Sequence, residues 1–258
     1  MAFDPAFAGL LGAAFLAGGI DAIVGGGGLI QLPALFSALP AAMPATLLGT
    51  SKLAGLAGTA SATLRYARAV SIPWRRLAPA AAIAFVGSLA GAATVTHVSA
   101  AAFRPLVPLL LTVVLLYTLT QRDLGASHAP RTLDRAGAMT GAAIVAAIAF
   151  YDGFFGPGTG SFLMLLFIRL YGFDFLNAAA AARVLNAATN VAALAWFGSS
   201  GHVLWPIGLA MAAANVAGAQ LGTRLALTRG PRFVRIVFIA VVATLILRTA
   251  WVALAAPR

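Results

Sequence analysis

Eight long apolar segments, separated by short polar gaps, constrain this chain more than any other feature of its sequence. They lie at 6–39, 41–64, 77–96, 101–120, 136–170, 175–197, 203–221 and 234–254. Hydrophobic residues make up 61% of the 258 residues and charged residues 9%, whereas a soluble domain carries about 25% charged residues. A soluble fold of this size cannot bury so much apolar side chain, but a bilayer crossing requires about 20 mostly apolar residues. The sequence therefore predicts an all-α polytopic membrane protein.

The net charge of +11 does not indicate a nucleic-acid partner. The arginines lie mainly in the gaps between apolar segments, where the cytoplasmic loops of membrane proteins carry them. The chain has no Cys, and His97, His128 and His202 are too scattered to form a metal-ligand pattern. No phosphate-binding Gly-x-x-x-x-Gly-Lys motif occurs. We expect no metal and no cofactor; the expected partners are the lipid bilayer and a small solute, and a homodimer is left open.

The two parts of the chain repeat rare residues at a constant offset of 131 positions. Acidic, basic, tryptophan and glycine positions recur at this offset: Asp21 and Asp152, Lys52 and Arg183, Trp74 and Trp205, Gly87 and Gly218, and Gly91 and Gly222. Chance does not easily align such rare residues in an Ala- and Leu-rich chain. We predict two related transmembrane halves, 1–120 and 136–258, joined by a polar linker at 121–135, an architecture common among transporters.

The loop arginines predict that the two halves are inverted. The loop after the second segment contains Arg65, Arg68, Arg75 and Arg76, whereas its counterpart at 198–204 contains no Lys or Arg. The next loop reverses the contrast: the first half has only Arg104, and the second half has four arginines between 224 and 235. Positive loops face the cytoplasm, so equivalent loops are expected on opposite faces. Three full crossings and one re-entrant hairpin in each half satisfy this expectation.

Glycine motifs interrupt the first and fifth segments, which are both longer than 30 residues. The run at 25–28 and the Gly- and Pro-rich stretch at 156–160 are expected to divide each segment into two shorter, discontinuous or re-entrant helices. A helix that restarts inside the membrane exposes N–H groups that attract anions. Candidate ligands at the two restarts are Gly27, Gly28, Gly158, Thr159 and Ser161, the last two also as helix caps. The alternative is that the glycines serve close helix packing.

Charged residues inside apolar segments are the remaining candidates for function. Lys52 and Thr59 share one helix face, as do Arg183, Asn186 and Asn190. One hypothesis is that the two cations face a polar cavity between the halves and bind an anion. The alternative is that the cations pair with carboxylates, or reach the interface, and only hold the fold.

Two acidic residues, Asp21 and Asp152, precede the glycine motifs by four positions. They are interpreted either as proton carriers or as structural ion-pair partners of the intramembrane cations, and the sequence leaves both open.

Four stretches together resemble the TauE/SafE family of sulfite exporters and its YfcA-like members. They are GGIDAIVGGGG at 18–28, GTSK at 49–52, YDGFFGPGTGS at 151–161 and ARVLNAATN at 182–190. The resemblance extends over nearly the whole chain and implies a multi-pass permease of the bacterial inner membrane. It implies transport of a small anion such as sulfite, a sulfonate or another sulfur-containing organic anion, without selecting one. The positions carried over are the glycine motifs with Lys52 and Arg183.

A transporter is thus the leading hypothesis, and two alternatives remain. A passive anion channel would use the same residues. An intramembrane enzyme with an Asp21 and Asp152 dyad is disfavoured, and His97 and His202 lie too near segment ends to support a Ser/His dyad. We therefore expect no catalytic residues and no enzymatic activity.

Overall fold

The computed structural model describes residues 5–98 and 129–255, which form eight helices and no strand. The helices are α1 (Pro5–Val24), α2 (Gly28–Ala38), α3 (Pro44–Ala69), α4 (Trp74–Thr96), α5 (Arg135–Phe154), α6 (Thr159–Arg169), α7 (Phe175–Ser199) and α8 (Trp205–Ala255). The predicted segment at 101–120, with Arg104, and the linker residues 121–128 lie outside the described residues.

Four helices are long and apolar enough to cross a bilayer by length and composition: α1, α4, α5 and α7. Large apolar side chains on the outer surface, such as Val86, Met139 and Leu209, are exposed, as expected for contact with lipid. The chain is therefore a multi-pass membrane protein. In α8 the backbone leaves helical geometry at Gly230 (φ 73°), between the seventh and eighth apolar segments.

Both glycine motifs end one helix and begin another. Gly25 has φ +83°, and Gly156 and Gly158 have φ +97° and +83°, values that a residue with a Cβ rarely adopts. The restarting helices α2 and α6 have 11 residues each, which is about 16 Å of helix and only about half of a hydrocarbon core.

Each short helix folds back along the helix before it. Gly27 packs against Ala17 of α1, and Leu35 of α2 joins Leu10 and Ala14 of α1 in one apolar cluster. In the second pair, Gly141 near the start of α5 faces Leu170 just after α6. The two helix pairs α1–α2 and α5–α6 are therefore helical hairpins, and their tips are the glycine motifs.

The two hairpin tips touch each other. Gly25 lies directly against the backbone of Gly160, and Gly28 lies against Pro157. The Ser161 hydroxyl donates a hydrogen bond to the carbonyl oxygen of Val24 at 2.7 Å. A side chain at Gly25 or Gly160 would occupy the space of the other tip, so glycine is required there by contact.

Glycine pairs also allow close packing between helices from different parts of the chain. Gly218 and Gly222 of α8 pack on the α1 backbone at Phe15 and Gly19. In the same way, Gly87 and Gly91 of α4 pack on the α5 backbone around Phe150. Glycines four positions apart on one helix allow such close approach of two helix backbones.

Helix α7 is the central helix of the described fold. In its most apolar window 72% of the residues are buried, compared with 28% in α4 and in α5. It packs antiparallel to α3, since Gly49 near the start of α3 contacts Phe197 near the end of α7, whereas Gly55 lies near Asn190. This pair of helices carries both intramembrane cations, Lys52 and Arg183.

Candidate functional site

A partly open polar cavity lies beside the hairpin tips. Its wall combines the start of α2, one face of α3 and the second glycine motif with two residues of α7 and one residue each of α1, α5 and α8. The polar side chains that line it are Asp21, Gln31, Ser51, Lys52, Thr59, Asp152, Asn186, Asn190 and Asn215. Gly27 and Gly28 contribute backbone at the α2 start.

The ammonium group of Lys52 pairs with Asp152 across the cavity. The Nζ atom lies 2.7 Å from Oδ2 of Asp152, and the two side chains are 9% and 3% exposed. Gly156 leaves room for this contact, because a Cβ there would lie about 3.1 Å from Nζ. The ion pair connects α3 to α5, two helices on opposite sides of the linker.

The second cation, Arg183, pairs with Asp21. Its Nη1 lies 3.0 Å from Oδ2 of Asp21; the arginine side chain is fully buried and the aspartate is 18% exposed. Asp21 also accepts hydrogen bonds from the Thr59 hydroxyl and from the backbone N–H of Gly27, each at 3.3 Å. Asp21 therefore places a carboxylate at the N-terminus of α2, where a negative charge is favourable.

Arg183 does not reach the cavity in this structure. The Nε atom of Arg183 is buried without a hydrogen-bond partner, and Nη2 lies 4.0 Å from the sulfur of Met164. The guanidinium also lies against Gly160 at the start of α6. Its placement behind Asp21 corresponds to the structural pairing that the sequence left open.

Asn186 and Asn190 lie one turn apart on α7, and both line the cavity. Each residue is 6% exposed. The Oδ1 atom of Asn186 accepts a weak hydrogen bond from the Thr189 hydroxyl at 3.4 Å. Within the described residues the Nδ2 atom of Asn186 and the whole amide of Asn190 have no hydrogen-bond partner. Both asparagines line the cavity, so these amide groups have capacity to hydrogen-bond a solute there.

Three of the polar side chains that line the cavity were not predicted: Gln31, Ser51 and Asn215. They form a buried chain in which Asn215 Nδ2 donates to Gln31 Oε1 at 2.9 Å and Gln31 Nε2 donates to Ser51 Oγ at 2.9 Å. This chain ties α8, α2 and α3 together. The signal that could have found Gln31 and Asn215 is the one that identified Lys52, a polar side chain within an apolar segment.

The structure brings eight of the predicted site residues together at the cavity. They are Asp21, Gly27, Gly28, Lys52, Thr59, Asp152, Asn186 and Asn190.

The remaining predicted residues of the second glycine motif lie outside the cavity lining. Gly158 is the N-cap of α6, and no side chain caps this helix, contrary to the expectation for Thr159 and Ser161. The Thr159 hydroxyl instead donates to the carbonyl of Gly156 at 2.7 Å, and the Ser161 hydroxyl donates to Val24. The physical reason is that each break leaves backbone carbonyls without helical partners, and the hydroxyls satisfy them.

No cluster of three or more His, Cys, Asp or Glu side chains that could hold a metal occurs within residues 5–98 and 129–255. The polar groups of the cavity are an ammonium, carboxylates, amides and hydroxyls. Such groups bind a small polar solute through hydrogen bonds and charge.

Comparison with known proteins gives consistent results over almost the whole chain. The sequence model of the family described as "Sulfite exporter TauE/SafE" matches residues 10–249. A "Probable membrane transporter protein ORF9" of Sinorhizobium sp is 40% identical over 238 residues, covering 92% of this chain and 89% of the relative. The "Probable membrane transporter protein YfcA" of Escherichia coli K12 is 40% identical, covering 90% of this chain and 85% of the relative.

A "Probable membrane transporter protein" of Haemophilus influenzae is 37% identical over 222 residues, covering 86% of this chain and 85% of the relative. No solved structure matches this chain. Matches of this identity and coverage, together with the multi-pass helical fold, show that the chain is a membrane transporter and belongs to the TauE/SafE family.

Proposed function

We propose that the protein transports a small anion, such as sulfite, a sulfonate or another sulfur-containing organic anion, and binds it in the cavity beside the hairpin tips. The observation that carries this proposal is that Lys52 lines the same cavity as the amide N–H groups of Asn186 and Asn190, which have no hydrogen-bond partner among the described residues. An ammonium group with neutral N–H donors is a suitable receptor for oxyanion oxygens. The family description supports the sulfur-containing class.

The Asp152 carboxylate shows how an oxyanion can be held. Its Oδ2 atom accepts from Lys52 Nζ, as an oxygen of a sulfonate would. We propose that an oxygen of the solute replaces this carboxylate oxygen on Lys52. The amide groups of α7 would donate further hydrogen bonds to the solute. Arg183 would serve indirectly, because it fixes Asp21 at the α2 terminus.

We also propose that the chain consists of inverted repeats, 1–120 and 136–258, joined by the linker 121–135. The helix starts support it: α2, α3 and α4 begin at Gly28, Pro44 and Trp74, and α6, α7 and α8 begin at the positions expected from the repeat offset. The equivalent helices α3 and α7 run antiparallel, as inversion requires. The two ion pairs are equivalent under the same offset, each joining one half to the other.

The arginine positions support re-entrant hairpins that enter from opposite faces. Arg65 at the end of α3 donates to the carbonyl of Gln220, near Arg224 of α8. Arg76 at the start of α4 and Arg131 before α5 line one surface pocket. At the other end, the loops 39–43 and 199–204 carry no Lys or Arg. The hairpin α1–α2 starts and ends at the arginine-poor side, and α5–α6 at the arginine-rich side, which we propose is the cytoplasmic face of a bacterial inner membrane.

Single-cysteine labelling is expected to show this orientation directly. The natural chain has no cysteine, so Arg68→Cys and Ser199→Cys each introduce one reactive thiol at opposite ends of the fold. In intact cells, a membrane-impermeant maleimide should label the Ser199 variant, whereas the Arg68 variant should require membrane permeabilisation. Labelling of both variants from the same side would contradict the proposed topology.

Flux measurements in proteoliposomes test the function itself. We expect saturable uptake of at least one anion from a panel of sulfite, thiosulfate, methanesulfonate, isethionate and a carboxylate. Asn190→Leu should reduce the flux by about 10-fold or more, since loss of one good hydrogen bond to a charged group is worth about 1.5–3 kcal/mol. Val191→Leu, on the exposed face of the same helix, is the matched control. Absence of flux for every anion would contradict the proposal, and flux that does not saturate would indicate a channel.

An Asp-dependent enzyme has less support than transport. Asp21 and Asp152 each pair with a separate cation rather than with each other. An aspartyl dyad requires two neighbouring carboxylates that share one proton. In this structure each of the two carboxylates is instead bound by its own cation.

A further inference from the structure

The charged groups at the cavity balance one another. Lys52 and Arg183 contribute two positive charges, and Asp152 and Asp21 contribute two negative charges. Among the described residues, Lys52, Asp152 and Asp21 are the charged side chains that line the cavity, and Arg183 pairs with Asp21 from behind the lining. A bound anion would therefore leave one uncompensated negative charge in a buried site, which is costly unless a positive charge enters with it.

The two carboxylates differ in how firmly each is held. Asp21 accepts from three donors on three elements: the Arg183 guanidinium, the Thr59 hydroxyl and the Gly27 backbone. Asp152 accepts a hydrogen bond from Lys52 alone within the described residues. Losing a single partner leaves Asp21 with two donors and leaves Asp152 with none.

An anion that binds Lys52 competes with Asp152 for its ammonium group. If the anion oxygen replaces Oδ2 on Nζ, Asp152 becomes a carboxylate that is 3% exposed and unpaired. A proton removes that charge and restores the electrical balance of the site. The charged side chains that line the cavity together with Asp152 are Lys52 of α3 and Asp21 of α1, and Asp21 remains paired with Arg183 of α7.

We infer that each monovalent anion is carried together with one proton, and that Asp152, rather than Asp21, carries the proton. This inference rests on the proposed function. In the loaded site Lys52 keeps its three protons and binds the anion, and the Asp152 carboxylate takes one proton from the bulk solution. On release the anion leaves Lys52, the proton leaves Asp152, and the ion pair forms again.

Calorimetric titration with methanesulfonate and isethionate tests the proton count. Both are monoanions that take up no proton near neutral pH, so any proton uptake belongs to the protein. Titrations in two buffers of different ionisation enthalpy should give about one proton taken up per anion bound by the wild-type protein. Binding without proton uptake would overturn the inference and leave the proposed function standing. If neither anion binds the wild-type protein, the inference is overturned for monovalent sulfonates, and the flux panel decides the proposed function separately.

Variants of Asp152 assign the proton to a residue. Asp152→Asn should bind the anion without proton uptake. In proteoliposomes this variant should no longer accumulate the anion in response to a pH gradient, but it should still exchange labelled for unlabelled anion. Asp152→Glu, which keeps a carboxyl group, should retain the uptake of one proton. Asp134→Asn, at the exposed N-cap of the same helix, is the control and should match the wild-type protein.

The double variant Asp21→Asn, Arg183→Gln separates the two carboxylates, because it removes the second ion pair and leaves the net charge of the site unchanged. One proton per bound anion should remain in this variant. Loss of proton uptake in it, or persistence of proton uptake in Asp152→Asn, would contradict the assignment. The wild-type titration decides whether a proton is carried at all, even if a variant does not fold.

Discussion

Replacing Lys52 with methionine is expected to reduce anion flux by at least about 100-fold. The substitution removes the only cation that faces the cavity within the described residues, and it leaves the Asp152 carboxylate buried without its partner. Breaking a buried ion pair by removing one member typically costs about 3–5 kcal/mol. The measurement is uptake into proteoliposomes, with thermal unfolding in detergent followed in parallel.

A double variant separates the binding role of Lys52 from its structural role. Lys52→Met with Asp152→Leu removes both charges and replaces them with apolar side chains of similar size. Such replacements are often neutral or stabilising, so thermal stability should return while flux stays absent. Wild-type flux in Lys52→Met would show that the anion does not bind this ammonium group.

Gly25→Ala is expected to destabilise the fold by about 3 kcal/mol or more. Two effects combine at this position: the backbone has φ +83°, and a Cβ would meet the backbone of Gly160 in the opposite hairpin tip. Strain at such a φ costs about 1–3 kcal/mol, and overpacking typically adds about 1–3 kcal/mol. Denaturant or thermal unfolding in detergent measures the change.

Two other glycines separate these effects. Gly201 has φ +77° and nothing within 4 Å of a Cβ, so Gly201→Ala should show the backbone strain alone. Gly12 lies inside α1 with open space around it, and Gly12→Ala should be neutral or slightly stabilising. Equal losses of stability in Gly25→Ala and Gly201→Ala would show that contact between the hairpin tips contributes nothing to the effect at Gly25.

Much of the helical framework could be predicted from local sequence. Apolar segment length set the helices, and the glycine motifs marked the ends of α1 and α5, because helix continuity depends on nearby backbone geometry. Lys52, Asn186 and Asn190 were predicted as cavity residues for a similar reason. Helical spacing places them on faces that a charged or amide side chain would not turn toward lipid.

The hydroxyls at the second glycine motif show where local reasoning fails. Thr159 and Ser161 have the chemistry of helix caps, yet they bond to the carbonyls of Gly156 and Val24. The second of these carbonyls belongs to a helix far away in the sequence. The hydrogen bond to this carbonyl can be recognised only once the contact between the two hairpin tips is known.

The sequence by itself determined that the protein lies in the membrane, where its helices break and which four charged residues share the interior. Only the tertiary structure decided how these charges pair: Lys52 faces the cavity with Asp152, and Arg183 is sealed behind Asp21. The physical reason is that hydrophobicity and helix termination depend on neighbouring residues, whereas the partner of a buried charge depends on how distant helices cross. The same crossing brings Gln31 and Asn215 to the cavity wall.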